Sequence, residues 1–223
     1  MRIRYLKNTD EILGNSSVVV HDAETLKGQW KEYFRGDRTP DYPKALYLEF
    51  GCGKGKFLRQ MAQRYPENAY IGVEKISTIL ARAAMGADVE DYPNLRLMRA
   101  DVLELDHVFA PGEADGIFLN FSDPWPKERH SKRRLTSSRF LALYERLLKP
   151  EGELEFKTDN DALFEFSIES LRQNGWEILY AVEDLHSTPL GQDNSMTEYE
   201  EAFAAAGKAI HKLCARKKPT SIL

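Results

Sequence analysis

Four carboxylates and one run of cations stand out in this sequence for where they fall. Glu49 follows Leu46-Tyr47-Leu48 and leads through Phe50 into a glycine turn, Gly51-Cys52-Gly53-Lys54-Gly55, and Glu74 closes the next apolar run, Ala69-Tyr70-Ile71-Gly72-Val73. Glycines at the end of a first strand let backbone approach a ligand without interference from Cβ, and a carboxylate at the end of the second can accept hydrogen bonds from ribose hydroxyls. Asp101 follows a third apolar run, where a further cofactor contact would lie, and Asp123 follows a fourth. From Lys127 to Arg134 there are five Lys or Arg against one acid. Cations so crowded can meet phosphates, and Trp125 just ahead offers a flat ring to a base or to the protein's own core. A tight strand-to-helix turn and a solvated charged loop are the plain alternatives for these two features.

The turn narrows the choice of nucleoside ligand. A dinucleotide fingerprint needs a third glycine where this chain has Lys56, and a Walker loop needs Ser or Thr where it has Phe57 and glycine where it has Phe50. A carboxylate ahead of the turn would repel a pyrophosphate but suits a ligand carrying an ammonium and a sulfonium. Glu49 before Gly-x-Gly-x-Gly resembles the first motif of S-adenosylmethionine-dependent methyltransferases.

These residues need elements to hold them. Apolar strands alternate with amphipathic helices, the pattern of a mostly parallel sheet covered on both faces. The expected fold is α/β: a doubly wound, Rossmann-like sheet of about seven strands. Residues 55–65 and 77–89 read as helices, Leu95-Arg96-Leu97-Met98 as a third strand and 114–119 as a fourth. Phe140, Leu141, Tyr144, Leu147 and Leu148 mark a helix stopped by Lys149-Pro150-Glu151-Gly152, after which Leu154 and Phe156 alternate in a fifth strand. Phe164, Ile168 and Leu171 mark the next helix; residues 176–182 and 209–215 supply two last strands, the final one antiparallel at or near the edge. Ligands of open α/β sheets sit outside the carboxyl ends of the strands, where Glu74, Asp101 and Asp123 fall.

Bulk properties bound the reading. With 223 residues, 42% of them hydrophobic, one sizeable core is expected, a single domain with an extension over residues 1–43 and a catalytic core over 44–217. Cys52 and Cys214 give neither a disulfide framework nor metal-ligand spacing, which favours a reducing compartment. The five histidines, His21, His107, His130, His186 and His211, are too scattered to suggest a metal. Met1-Arg2-Ile3-Arg4-Tyr5-Leu6-Lys7 lacks the apolar segment of a secretory signal and no long apolar run follows, so a cytoplasmic protein without membrane contact is expected. The net charge of −4 and pI of about 5.8 confine any nucleic-acid site to a local patch.

Taken together, the segments Leu48 to Gly55, Gly72-Val73-Glu74, Asp101, Ser122-Asp123-Pro124-Trp125-Pro126-Lys127 with Arg129 to Arg134, Lys157-Thr158-Asp159 and Thr197-Glu198-Tyr199-Glu200 resemble the bacterial tRNA (guanine-N7)-methyltransferases. The resemblance runs from Leu46 to Lys217, and the first 40 residues add little to it. Near the end, Lys208-Ala209-Ile210 departs from the expected proline-isoleucine type, which touches the last strand rather than the chemistry. The resemblance implies a class I enzyme that moves a methyl group from S-adenosylmethionine, leaving S-adenosylhomocysteine, to N7 of a variable-loop guanine (position 46) in tRNA. It implies cofactor contacts at Glu49, Gly51, Gly53, Gly55, Glu74, Asp101 and Asp123, with Asp123 also catalytic. It assigns substrate contacts to Lys127, Asp159, Thr197, Glu198, Tyr199 and Glu200, and RNA contacts to Arg129, His130, Ser131, Lys132, Arg133 and Arg134. The expected partner is tRNA, with no protein partner required and a monomer or homodimer as the working state.

Local structure offers second readings for some of these. Asp159 ahead of a helical run can be an N-cap, and Thr197-x-x-Glu200 is also a capping box. Guanine N7 carries an in-plane lone pair and no proton, so its methylation needs alignment and electrostatics rather than a general base. Asp123 could stabilise the charge that develops on the purine, or accept from guanine N1–H and the N2 amino group while Lys127 donates to O6. A small-molecule methyltransferase would not need the cationic run, a non-enzymatic RNA-binding protein would not need the acidic array, and a dehydrogenase lacks an evident hydride-transfer constellation.

Overall fold

The computed structural model describes residues 6–218. Its strands are β1 (Leu46–Phe50), β2 (Ala69–Glu74), β3 (Leu95–Arg99), β4 (Ala114–Asn120), β5 (Leu148–Thr158), β6 (Trp176–Val182) and β7 (His211–Lys217). They form one sheet in the order β3-β2-β1-β4-β5-β7-β6. Five neighbouring strands pair in parallel, and β7 is antiparallel to both β5 and β6. This is the doubly wound, Rossmann-like, mostly parallel sheet expected from the alternating pattern.

Strand period decides which face each side chain meets. Leu46, Leu48, Phe50, Ile71, Val73, Ile117, Leu119, Leu154 and Phe156 pack in one core, beneath α5 (Ser138–Leu147) and α6 (Asp161–Gln173). Tyr70, Leu95, Leu97 and Phe118 pack in the other, beneath α3 (Lys56–Arg64) and α4 (Ser77–Ala84). At Gly72 of β2 a Cβ would come 2.6 Å from Leu58 Cδ1 and 2.9 Å from Cys52 Sγ. Glycine there lets α3 sit close on the strand behind the turn.

The amino-terminal residues join this scaffold. The helices α1 (Thr9–Asn15) and α2 (Trp30–Arg35) pack on opposite faces, Leu13 in one core and fully buried Trp30 in the other. Val19 makes a parallel bridge to Leu97, so a short segment covers the outer edge of β3. Trp30 is tied down by its indole N–H, which donates to the Val108 carbonyl at 3.0 Å, and by its backbone N–H, which donates to Glu113 at 2.9 Å.

Three boundaries differ from the sequence reading. Helix α4 ends at Ala84 rather than 89, because the chain tightens into turns in which Gly86 and Ala87 donate to Ala83 and Ala84. Strand β5 starts at Leu148, directly after α5, and the segment read as a stop is a bulge inside it: Ala114 pairs with Leu148, but Gly116 pairs with Glu153. The last strand lies two residues later than expected, though it is antiparallel and next to the edge as read, with β6 outermost. Among the described residues no helix is long and apolar enough to cross a membrane.

Candidate active site

The alternation that buries Leu48, Val73, Leu119 and Phe156 on one face turns Glu49, Glu74, Asn120 and Lys157 to the other, at the carboxyl ends of β1, β2, β4 and β5. Glu49 is fully buried. Asn120 Nδ2 donates to its Oε1 at 2.7 Å, while Oε2 is buried without a hydrogen-bond partner among the described residues. Burial pushes the Glu49 carboxyl up to about 8, against the opposing pull of Asn120 and the Lys157 charge. A buried oxygen without a partner is costly, and a cationic ligand group reaching it would remove that cost.

Above Glu49 the backbone turns away from the sheet. Gly51 and Gly53 have φ of 73° and 59°, and a Cβ on either would meet nothing within 4 Å. Glycine is needed here for the left-handed backbone, and the turn borders open space. Beneath it, burial raises the Cys52 thiol well above its ordinary range. The Glu74 carboxyl is also raised, by burial first, although the backbone N–H groups of Ile76, Gly53 and Lys75 act to lower it. Asp101 is differently placed. Lys75 donates to its Oδ2 at 2.6 Å, Leu103 N–H to its Oδ1 at 3.0 Å, and the Lys75 bond holds the carboxyl low. It therefore caps the turn that follows β3 and is tied to Lys75, the residue after Glu74. Ile76 and Leu103, two apolar side chains 40% and 39% exposed, follow Glu74 and Asp101.

Asp123 is exposed on the loop after β4, beyond the carboxyl end of that strand, and its charge is the last of the causes that raise the Glu74 carboxyl. Two left-handed residues flank it, Phe121 at φ 53° and Trp125 at φ 41°. Such conformations cost aromatic residues on the order of 1–3 kcal/mol each, so the surroundings must impose them. Phe121 N–H donates to the Lys157 carbonyl at 2.9 Å, and its ring lies 6.4 Å from that of Phe203. The Trp125 ring lies under the Arg133 guanidinium at 4.8 Å, with His130 edge-on at 5.8 Å.

The cationic run divides. Lys127, Arg129, Lys132 and Arg133 are exposed, and His130 and Ser131 are half-buried, on a 3₁₀ turn over Glu128–Arg133. Arg134 is only 8% exposed. Its guanidinium donates to the Pro124 and Trp125 carbonyls at 3.1 and 3.2 Å and stacks on Phe166 at 4.3 Å. Of the six residues assigned to RNA, Arg134 is the one buried as a brace of the loop.

The substrate positions also separate. Asp159 pairs with Lys208, within the segment that departs from the family pattern, and the cap of α6 is Asn160, whose Oδ1 accepts from Leu163 N–H at 2.8 Å. Thr197 does cap the last helix, α7 (Glu198–Ala205), accepting from Glu200 N–H at 3.0 Å. Glu200 gives half a capping box: its carboxylate is fully buried and receives Lys157 Nζ at 2.6 Å, with Asn194 and His186 on the other oxygen. Glu200 is thus held inside the fold by its pairing, not presented at the surface. Glu198, half-buried, opens α7 directly after its cap and is a minor cause of the raised Glu49 and Cys52, and Tyr199 is exposed.

Asn120 and Lys157 are the site residues that motif reading missed. Lys157 donates to Glu200, to the Ser195 carbonyl at 2.8 Å and to Asn194 Oδ1 at 3.1 Å, and burial lowers its pKa. The available signal was alternation, which turns the last polar residue of β4 and the lysine near the end of β5 to the Glu49 face. Among the described residues no group of three or more His, Cys, Asp or Glu could hold a metal ion.

The geometry agrees with what the chain resembles. A family model described as "Putative methyltransferase" matches residues 43–213. A tRNA (guanine-N(7)-)-methyltransferase of Lachnoclostridium phytofermentans is 45% identical over 215 residues, covering 96% of this chain and 98% of that protein. Its counterpart in Lactococcus lactis subsp. cremoris is 43% identical over 221 residues, 98% and 99% of the two chains. Among solved structures, an antibiotic-related methyltransferase superposes with a TM-score of 0.63 at 17% identity, covering 95% of this chain and 98% of its own. The 16S rRNA methyltransferase KamB does so at 0.62 and 16%, covering 89% and 94%. At these identities the two structures speak for the fold alone.

Proposed function

The chain belongs to the tRNA (guanine-N7)-methyltransferase family and is a methyltransferase acting on guanine N7 of tRNA, and on that premise we propose that the pocket at the ends of β1, β2 and β4 holds S-adenosylmethionine while the loop after β4 presents the base. The observation that carries this reading is the placement of Asp123. It lies three residues beyond β4, at the sheet end that carries Glu49 and Glu74, on the loop that bears Lys127, Arg129, Lys132 and Arg133. One carboxylate thus stands between a cofactor pocket and an RNA-facing patch.

The pocket suits the proposed cofactor. Glu49 Oε2, buried and unpartnered, is ready for an ammonium, the open space at Gly51 and Gly53 admits a ligand against backbone, and Glu74 can accept from ribose hydroxyls. Ile76 and Leu103 offer apolar surface to a purine. When bound, S-adenosylmethionine supplies an electrophilic methyl on a cationic sulfur.

The protein's own residues supply alignment and charge. No general base is required, because N7 attacks with a free lone pair. N7 and N1–H lie on adjacent edges of guanine, flanking O6, so one carboxylate beside the cofactor acids, Asp123, can act on the positive charge that appears on the base or accept from N1–H and the N2 amino group. The strained, braced loop keeps it there without reorganisation at the moment of transfer. We place the target in the tRNA variable loop; drawing that base out of its tertiary contacts costs on the order of a few kcal/mol, offset by the exposed cations of the loop.

The test is incubation of the protein with methyl-labelled S-adenosylmethionine and unmodified tRNA, followed by nucleoside analysis. Labelled 7-methylguanosine is expected from wild type. Asp123→Ala should lower turnover by about 10²–10³-fold, the range for losing one preorganised electrostatic contact. Its tRNA affinity should be retained. Label at another atom, or only in small molecules, would overturn the reading.

A further inference from the structure

Residues 193–201 lie along α3 as a strap, fastened to one face of that helix. Lys56, Gln60 and Arg64 are spaced four apart and so line up along it. Lys56 pairs with Glu201, and Arg64 donates to the Asp193 carbonyl at 2.5 Å and to its carboxylate at 2.6 Å. These end pairs are exposed on at least one side and fix little by themselves. Between them the Gln60 amide engages both backbone groups of Met196: Nε2 donates to the carbonyl at 3.0 Å, and Met196 N–H donates to Oε1 at 3.1 Å. From within, Lys157 grips Asn194, Ser195 and Glu200. The residue after Met196 is Thr197, the cap of α7, and Glu198 is the first residue of that helix.

Helix α3 has Gly55, the end of the glycine turn, as its N-cap. One helix therefore carries the cofactor turn at its start and the Thr197–Glu200 segment on its flank. Resting on the function proposed above, we infer that Gln60 and Lys157 are positioning residues: they fix the strap so that Glu198 and Tyr199 stand in register with the cofactor turn and align the guanine for transfer. They act through Met196 and Glu200. Misplacement of about 1 Å can cost about 10²-fold in rate, so the effect should fall on the chemical step rather than on binding.

The experiment compares wild type with Gln60→Met, which keeps side-chain length while removing both hydrogen bonds to Met196. Removing Lys157 alone would strand the Glu200 carboxylate, so it is examined as the paired Lys157→Met, Glu200→Gln protein. Single-turnover formation of 7-methylguanosine at saturating S-adenosylmethionine and tRNA should fall by about tenfold or more in each. Calorimetric cofactor affinity, tRNA affinity and melting temperature should stay near wild type for Gln60→Met. A Gln60→Met rate within twofold of wild type would overturn the inference. So would a loss that merely follows falling tRNA affinity or melting temperature, the mark of a structural role. Wild type that formed no 7-methylguanosine would instead overturn the functional reading, and this inference with it.

Discussion

Glu49 is the residue at which sequence and physics meet most sharply. Its position before the turn marked it as a cofactor contact; the structure adds that it is buried with one oxygen lacking a partner. Its carboxyl is raised from an ordinary 4.5 to about 8, so the free protein favours the protonated form at neutral pH. The contribution to folding is then fully present below the ordinary glutamate range and is lost as pH rises toward 8. Binding a cation reverses the preference: Glu49 must ionise, and a proton leaves as the ligand enters. Affinity for S-adenosylmethionine should therefore rise with pH from about 6 to 8, by at most tenfold per unit, and level off above that range. Calorimetry in buffers of different ionisation enthalpy should count close to one proton released near pH 6, and none for Glu49→Gln. Asn120 and Lys157, which tune this group, were missed as site residues: alternation puts them on the Glu49 face, but their partners come together across strands and no local spacing encodes those.

At the scale of elements, the strands and most helices could be read because each buries a periodic set of apolar residues. What resisted reading were ends and caps, which turn on single hydrogen bonds. Helix α4 looked longer because Ala87 and Val89 continue the apolar pattern, yet Gly86, poor in a helix by about 1 kcal/mol relative to alanine, lies where the chain tightens. Asp159 looked like the cap of α6, but the N-cap is its neighbour Asn160, and Asp159 pairs with Lys208 instead. Asn160→Ala should accordingly lower the unfolding free energy by about 0.5–2 kcal/mol in urea titrations. Asp159→Ala, which breaks a partly exposed ion pair, should cost about 0–1 kcal/mol. The reverse order would return the cap to Asp159. The amino-terminal extension was the least legible part. Trp30 and Phe34 reveal their burial only against Phe109 and the sheet, far along the chain.

For the whole molecule, the question is how a chain of net charge −4 holds a polyanion. The family assignment makes tRNA the substrate, and the structure concentrates exposed cations on the loop after β4 while spending Arg134 on the loop's own carbonyls. Each phosphate contact contributes about 0.7–0.9 to the slope of log affinity against log salt. Replacing Arg129, Lys132 and Arg133 with glutamine should thus flatten that slope by about 2–3 units and weaken binding at low salt, with cofactor affinity intact. Arg134→Gln should behave otherwise. It leaves the Pro124 and Trp125 carbonyls without their partner and frees the backbone around Asp123, so turnover should fall while the salt slope stays close to that of wild type. Filter-binding titrations across salt concentration, with single-turnover rates on the same proteins, separate the two. If Arg134→Gln flattened the slope as much as an exposed arginine does, its guanidinium would have to leave the loop for RNA, and the brace described above would not hold Asp123 in the complex.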